Sequence, residues 1–104
     1  VKPEVFMRWL VSQLRRLTYR WRPRTEARRR AKVAYGKYRC EVCKKTHAAK
    51  DTQLDHVIPV VDPEKGFTTW DDFIARLFVG DGGWQLLCHD CHKKKSDKEN
   101  ARRK

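Results

Sequence analysis

A small α+β fold is what this sequence predicts, on three observations. Two C-x-x-C units, Cys40-Glu41-Val42-Cys43 and Cys88-His89-Asp90-Cys91, stand forty-four residues apart. A short strand candidate, Thr52-Gln53-Leu54, follows the first unit, and Trp84-Gln85-Leu86-Leu87 leads straight into the second. Apolar residues at helical spacing fill the segment before the first pair and another between the two.

A chain of 104 residues has room for one compact core and an appended helix. At that size the core is thin, and reinforcement is common. A secretory reading would make the four cysteines disulfides. No apolar run is long enough for a signal peptide or a membrane span, so the sequence reads as cytoplasmic, with no membrane role. In that setting two matched C-x-x-C units read as one tetrahedral four-thiolate zinc site, Cys40, Cys43, Cys88 and Cys91. Disulfides or unrelated free thiols are the alternatives; a redox motif would not call for the second copy.

Met7, Leu10, Leu14, Leu17 and Trp21 recur at gaps of three and four, which gathers them on one helical face across Phe6 to Trp21. That stripe, widened by Phe6 and Val11 on either side, is expected to be core, with Trp9 off it. Pro23 breaks the pattern, and a second helix is expected from a Thr25 cap to Ala34 or Tyr35, stopped by Gly36. Arg28, Arg29, Arg30 and Lys32 cover its exposed surface. Asp62 to Thr68 reads as loop, and Thr69 or Asp71 starts a helix through Phe78 whose Trp70, Phe73, Ile74 and Leu77 face the core. Gly80 to Gly83 is a turn. A polar helix runs from about His89 to Lys98, followed by a frayed tail.

Charge is unevenly spread within a net of +12. Residues 1–50 carry sixteen Lys/Arg against three Asp/Glu, and residues 51–91 carry two against eight. The last thirteen residues return to seven basic against two acidic. Basic flanks hold and steer a polyanion, while an acidic centre can hold a hard cation beside it. Arg28, Arg29, Arg30 and Lys32 are therefore the expected DNA-phosphate surface, a solvated charged face being the alternative.

Four cysteines complete the zinc site, which leaves Asp55, His56 and His92 for other chemistry. His92 follows Cys91, and one helical residue turns a side chain by about 100°, so Cys91 can face zinc while His92 faces the Asp55-His56 turn. Asp55 can ligate a divalent ion, and neutral His56 can take a proton from water. Adjacent residues on a strand point to opposite sides, so a bend at the strand end is needed to bring both to one cavity.

These stretches, Leu54-Asp55-His56-Val57-Ile58-Pro59 with Trp84-Gln85-Leu86-Leu87-Cys88-His89-Asp90-Cys91-His92-Lys93-Lys94-Lys95, resemble the HNH endonucleases with a cysteine-containing ββα-metal fold. Tyr38-Arg39-Cys40-Glu41-Val42-Cys43 is similar to their first knuckle, and Thr69-Trp70-Asp71-Asp72-Phe73-Ile74 to an inserted helix of phage-encoded members. The resemblance implies a ββα-metal nuclease core at 38–98, preceded by a basic helical extension at 1–37 and followed by a basic tail at 99–104. It implies that Asp55 and His92 hold one catalytic Mg2+, Mn2+ or Ni2+, that His56 is the general base, and that the four cysteines hold structural zinc. It implies DNA nicked to 5′-phosphate and 3′-hydroxyl ends by a monomer or weak dimer, and, by analogy alone, phage packaging or replication proteins as partners. Lys95, three residues beyond His92, is a candidate phosphate contact; His89 is expected to be exposed. Where the family has an asparagine before the Trp84 segment this chain has Gly83, with Asp81, backbone bonds or water as substitutes. The rival readings are a non-catalytic zinc-dependent DNA-binding module and a protein-interaction domain whose basic face meets an acidic partner.

Overall fold

The computed structural model describes residues 1–103. Helix α1 (Pro3–Leu17) begins three residues before the expected Phe6, because proline suits a first helical turn. A 3-10 turn, Thr18–Arg20, carries the chain to an extended Trp21. Helix α2 (Arg22–Ala31) then starts with Pro23 in its first turn. Thr25 does not cap it; its hydroxyl donates to the Arg22 carbonyl from inside the first turn. Nor does Gly36 stop it. Strand β1 (Lys32–Ala34) peels off at Lys32, and Gly36, at φ +69°, forms the turn into β2 (Lys37–Arg39). Glycine reaches that left-handed backbone without a Cβ penalty.

Strand β3 (Thr46–Ala48) completes a three-stranded antiparallel sheet in the order β1-β2-β3, with the first cysteine pair in the connection from β2. A second sheet pairs β4 (Thr52–His56) with β5 (Trp84–Cys88), antiparallel, with His56 opposite Trp84 and Asp55 opposite Gln85. Between them lies α3 (Trp70–Leu77), capped by Thr69, whose side-chain oxygen accepts the Asp72 N–H at 3.1 Å. Helix α4 (His89–Arg103) follows β5 directly. It runs past the expected end at Lys98 because Glu99 pairs back to Lys95 and Arg102 reaches Glu64 in the Asp62 loop at 3.2 Å. The end of the expected frayed tail, Lys104, lies outside the described residues.

This is a small α+β architecture with two sheets and a ββα arrangement, β4-β5-α4, beside the cysteines. Apolar burial falls into two clusters. Cys40, Leu87 and Cys88 form one, against which Cys43 and Cys91 pack. Val60, Phe73 and Leu77 form the other, covered by Val11, Leu14, Trp70 and Phe78. The stripe expected on the first helix is thus only partly core. No α1 residue is fully buried, and Met7 and Leu17 stay exposed. Contact is made through Leu14 in the stripe and Val11 at its edge, and Arg15 lies over the Phe73 ring at 5.8 Å. Ile74 is likewise exposed, on the outer side of α3.

Candidate metal centre and active site

The first knuckle closes through a hydrogen bond from the Lys44 N–H to the Cys40 carbonyl, with Lys44 at φ 66°. Glu41, between the two cysteines, ties the knuckle to β5 by two bonds. Its N–H donates to the Leu86 carbonyl at 2.9 Å, and its carboxylate accepts the Leu86 N–H at 2.7 Å. Cys88 closes β5 and Cys91 lies in the first turn of α4, so both pairs meet. One ligand atom from each of the four cysteines lies within 4.8 Å of the others. Cys43 Sγ and Cys88 Sγ are 3.9 Å apart. A tetrahedron with Zn–S bonds of about 2.3 Å has edges of about 3.8 Å, so the donor set fits zinc in both chemistry and spacing.

Burial pushes the Cys40 thiol up, but backbone hydrogen bonds from Cys43, Cys88 and Val42 overcome it and hold it at about 6. Cys91 is pushed up to about 12, chiefly by its hydrogen bond to Cys88. A cluster that already favours one thiolate is prepared for a soft cation. His47, which the sequence left without a role, sets Nε2 3.8 Å from Cys43 Sγ.

His56 ends β4. Its ring lies 4.0 Å from the Trp84 ring, centroid to centroid, and its Nε2 is 2.9 Å from the Leu77 carbonyl. A carbonyl only accepts, so Nε2 carries the hydrogen and Nδ1 keeps its lone pair. Burial lowers the His56 pKa from its ordinary value, with Arg15 and Lys95 acting in the same direction, against the Leu77 hydrogen bond and Asp55. Desolvation wins, and the imidazole is neutral at pH 7.

Asp55 faces α4 instead. Its Oδ1 accepts the His56 backbone N–H at 2.9 Å, and its Oδ2 lies 4.0 Å from His92 Nε2. The Lys95 ammonium stands 2.9 Å from that same Oδ2 and also pairs with Glu99. Burial alone would pull Lys95 down, but Glu99 and Asp55 hold its pKa above the ordinary value. Asp55 and His56 both line a cavity of about 140 Å³, together with Arg15, Lys95, Glu99 and Arg103. The bend at Val57 and Ile58, directly after the strand end, thus accompanies the opening of two opposite-facing neighbours to one cavity. No group of three or more potential metal ligands besides the cysteines occurs among the described residues.

The loop that carries His56 is pinned by main chain. The Val57 N–H donates to the Gly83 carbonyl at 2.9 Å. A Cβ at Gly83 would lie 2.3 Å from Val79 Cγ2, so an asparagine has no room here. Asp81 makes no such link; it lines a shallow groove with Arg22, Glu26 and Arg30.

The basic surface of α2 is more engaged than composition suggested. Arg28 stacks over Tyr38 at 4.5 Å, Arg29 pairs with Glu26 at 3.2 Å, and Arg30 pairs with Glu41 at 3.2 Å. Lys32 is exposed, 5.9 Å from the Tyr35 ring centre, and His89 is exposed as expected. Glu41, Arg15, Glu99 and His47 are the contributors that sequence reasoning missed. Only Glu41 carried a signal, as an acid inside a knuckle with a basic helix just before it. No helix among the described residues is long and apolar enough to cross a membrane. No protein-family model, curated protein or solved structure matches the chain significantly.

Proposed function

We propose that the chain is a metal-dependent DNA endonuclease of the HNH type, with zinc at the four cysteines as a structural staple. The observation that carries this reading is the half-buried His56, donating through Nε2 to Leu77 O at 2.9 Å, beside an Asp55-His92 pair. That hydrogen bond leaves Nδ1 as the basic nitrogen. A water at Nδ1 gives up its proton as its oxygen attacks phosphorus, and His56 holds that proton as imidazolium. Arg15 and Arg103, both on the cavity wall, are placed to meet the charge of a phosphate there. Asp55 and His92 would hold the divalent ion, which supplies Lewis-acid neutralisation of the scissile phosphate when bound. Lys95 would leave Asp55 Oδ2 at that stage and remain with Glu99. Attack opposite the 3′ oxygen breaks the P–O3′ bond, and that oxygen leaves with a proton from water, giving 5′-phosphate and 3′-hydroxyl ends, one strand per encounter.

The test is nicking of supercoiled plasmid with Mg2+, Mn2+ or Ni2+, and with EDTA as control. His56→Ala is expected to abolish nicking while fold and DNA affinity persist; normal turnover by that variant would remove the base assignment. One observation favours a second reading, a non-catalytic zinc-dependent DNA-binding module. The cation against Asp55 is the chain's own Lys95. Salt-sensitive DNA binding without nicking under any of the three metals would select that module.

A further inference from the structure

Three of the five arginines on α2 have acidic partners, and the other two, Arg24 and Arg28, lie over the Tyr19 and Tyr38 rings. Arg22 and Arg29 pair with Glu26, and Arg30 pairs with Glu41. Arg16 and Arg20, by contrast, have no acidic partner among the described residues. They line a groove of about 570 Å³ together with Trp9 and Tyr19, and no acid contributes to it. Trp9 is 56% exposed and Tyr19 64%, so two large aromatic side chains are left in water beside two unneutralised guanidinium groups. Leu17 is the one aliphatic side chain in the groove. The apolar groove on the other side of α1, lined by Met7, Val11, Phe67 and Trp70, is separate.

We infer that this groove binds an unpaired stretch of single-stranded DNA, its bases stacked on Trp9 and Tyr19 and its phosphates held by Arg16 and Arg20. Flat aromatic faces next to guanidinium groups match a ligand that alternates flat bases with negative charge. A duplex hides its base faces and satisfies only the arginines. An acidic amphipathic peptide would also satisfy them, but it needs an aliphatic floor, and here the floor is aromatic. Arg24 reaches from the groove towards the candidate active site. The Arg24 guanidinium lies 4.5 Å from the Tyr19 ring centre and 5.8 Å from that of Trp84, which packs on His56. Arg15, one residue from Arg16 and about 100° around the helix, lines the His56 cavity. The inference rests on the nuclease reading for one point, that the strand held here continues into that cavity.

Fluorescence anisotropy of a labelled twelve-nucleotide oligothymidine, without added divalent ion, tests the binding. Trp9→Ala and Tyr19→Ala are each expected to weaken it about tenfold, as loss of one stacked base does. Trp9→Phe and Tyr19→Phe should retain it, and affinity for a twelve-base-pair duplex should change less than about twofold. Arg16→Gln and Arg20→Gln should each lower the slope of log affinity on log salt by about 0.7. Unchanged oligothymidine binding by the Trp9→Ala/Tyr19→Ala double variant, with its helix content and zinc content intact, overturns the proposal. So does an equal loss of duplex binding, or displacement of the oligonucleotide by a lower concentration of an alternating Glu-Leu peptide. Plasmid nicking by the same proteins separates the two readings. Stacking without nicking removes the nuclease alone, and nicking without stacking removes the groove alone.

Discussion

On the proposed nuclease reading, Lys95 and a divalent ion would compete for the same oxygen. Asp55 Oδ2 has the Lys95 ammonium at 2.9 Å and His92 Nε2 at 4.0 Å, so a metal ion shared by Asp55 and His92 must displace the lysine. Breaking a charge-assisted hydrogen bond costs about 1.5–3 kcal/mol. Lys95→Met is therefore expected to tighten Mn2+ binding by about tenfold, read by electron paramagnetic resonance on zinc-loaded protein; equal affinity would mean that lysine and ion share the carboxylate. The sign of the His56 shift is also testable. A histidine whose folded pKa lies below the ordinary value of about 6.5 stays unprotonated to lower pH. The acid limb of kcat/KM for nicking is then expected below 6.5, and a limb at or above 6.5 would contradict the desolvated, neutral base. Gly83 is constrained by space. With Val79 Cγ2 2.3 Å from where its Cβ would be, Gly83→Asn is expected to lower stability by about 1–3 kcal/mol in thermal unfolding, and Val79→Ala to restore part of it. No recovery in the double variant would place the strain elsewhere.

Elements were legible in the sequence where a local signal decided them. The Thr69 cap with the Trp70, Phe73 and Leu77 spacing located α3, and the run after the first cysteine pair located β4, while β5 was implied only by the family resemblance. The second helix was misjudged because a charged, arginine-rich run carries little periodicity. Lys32 to Arg39 became a hairpin through long-range pairing with β3, which no local pattern reports. Which part of the α1 stripe makes contact was hidden for a related reason: Leu10, Val11 and Leu14 are all apolar, and only the partner surface chooses among them. At the site, Asp55, His56, His92 and the cysteines were readable as residue types, but the Lys95 contact needed the fold. Glu41 belongs to this scale because it joins elements, bonding both ways to Leu86 and pairing with Arg30. Glu41→Gln keeps the size and loses the charge. It is expected to cost about 1–2 kcal/mol in denaturant unfolding, without loss of zinc; an unchanged midpoint would show that the neutral amide serves equally well.

At the scale of the whole molecule, two small apolar centres have to hold together a chain that spreads over 47 × 31 × 22 Å. One is the cysteine cluster, and the other lies under α1 and α3, each with three buried residues at its heart. The two are linked by β4 and β5 and by Val79, whose carbonyl accepts the indole N–H of both Trp21 (2.7 Å) and Trp84 (3.0 Å). Trp84 is buried between α2 and His56, so loss of order at β5 passes directly to the junction of α1 and α2. Structural zinc contributes about 10–16 kcal/mol in small peptides, as much as the whole stability of an ordinary domain. With only three buried residues at the heart of each centre, chelation is expected to unfold both at once. Removing zinc, or replacing Cys88 by Ala, should abolish helical circular dichroism and the near-ultraviolet signal of the buried tryptophans in a single transition. A protein that keeps the near-ultraviolet signal while Cys40, Cys43 and Cys91 react freely with a thiol reagent would show instead that α1 and α3 form a stable unit without the zinc.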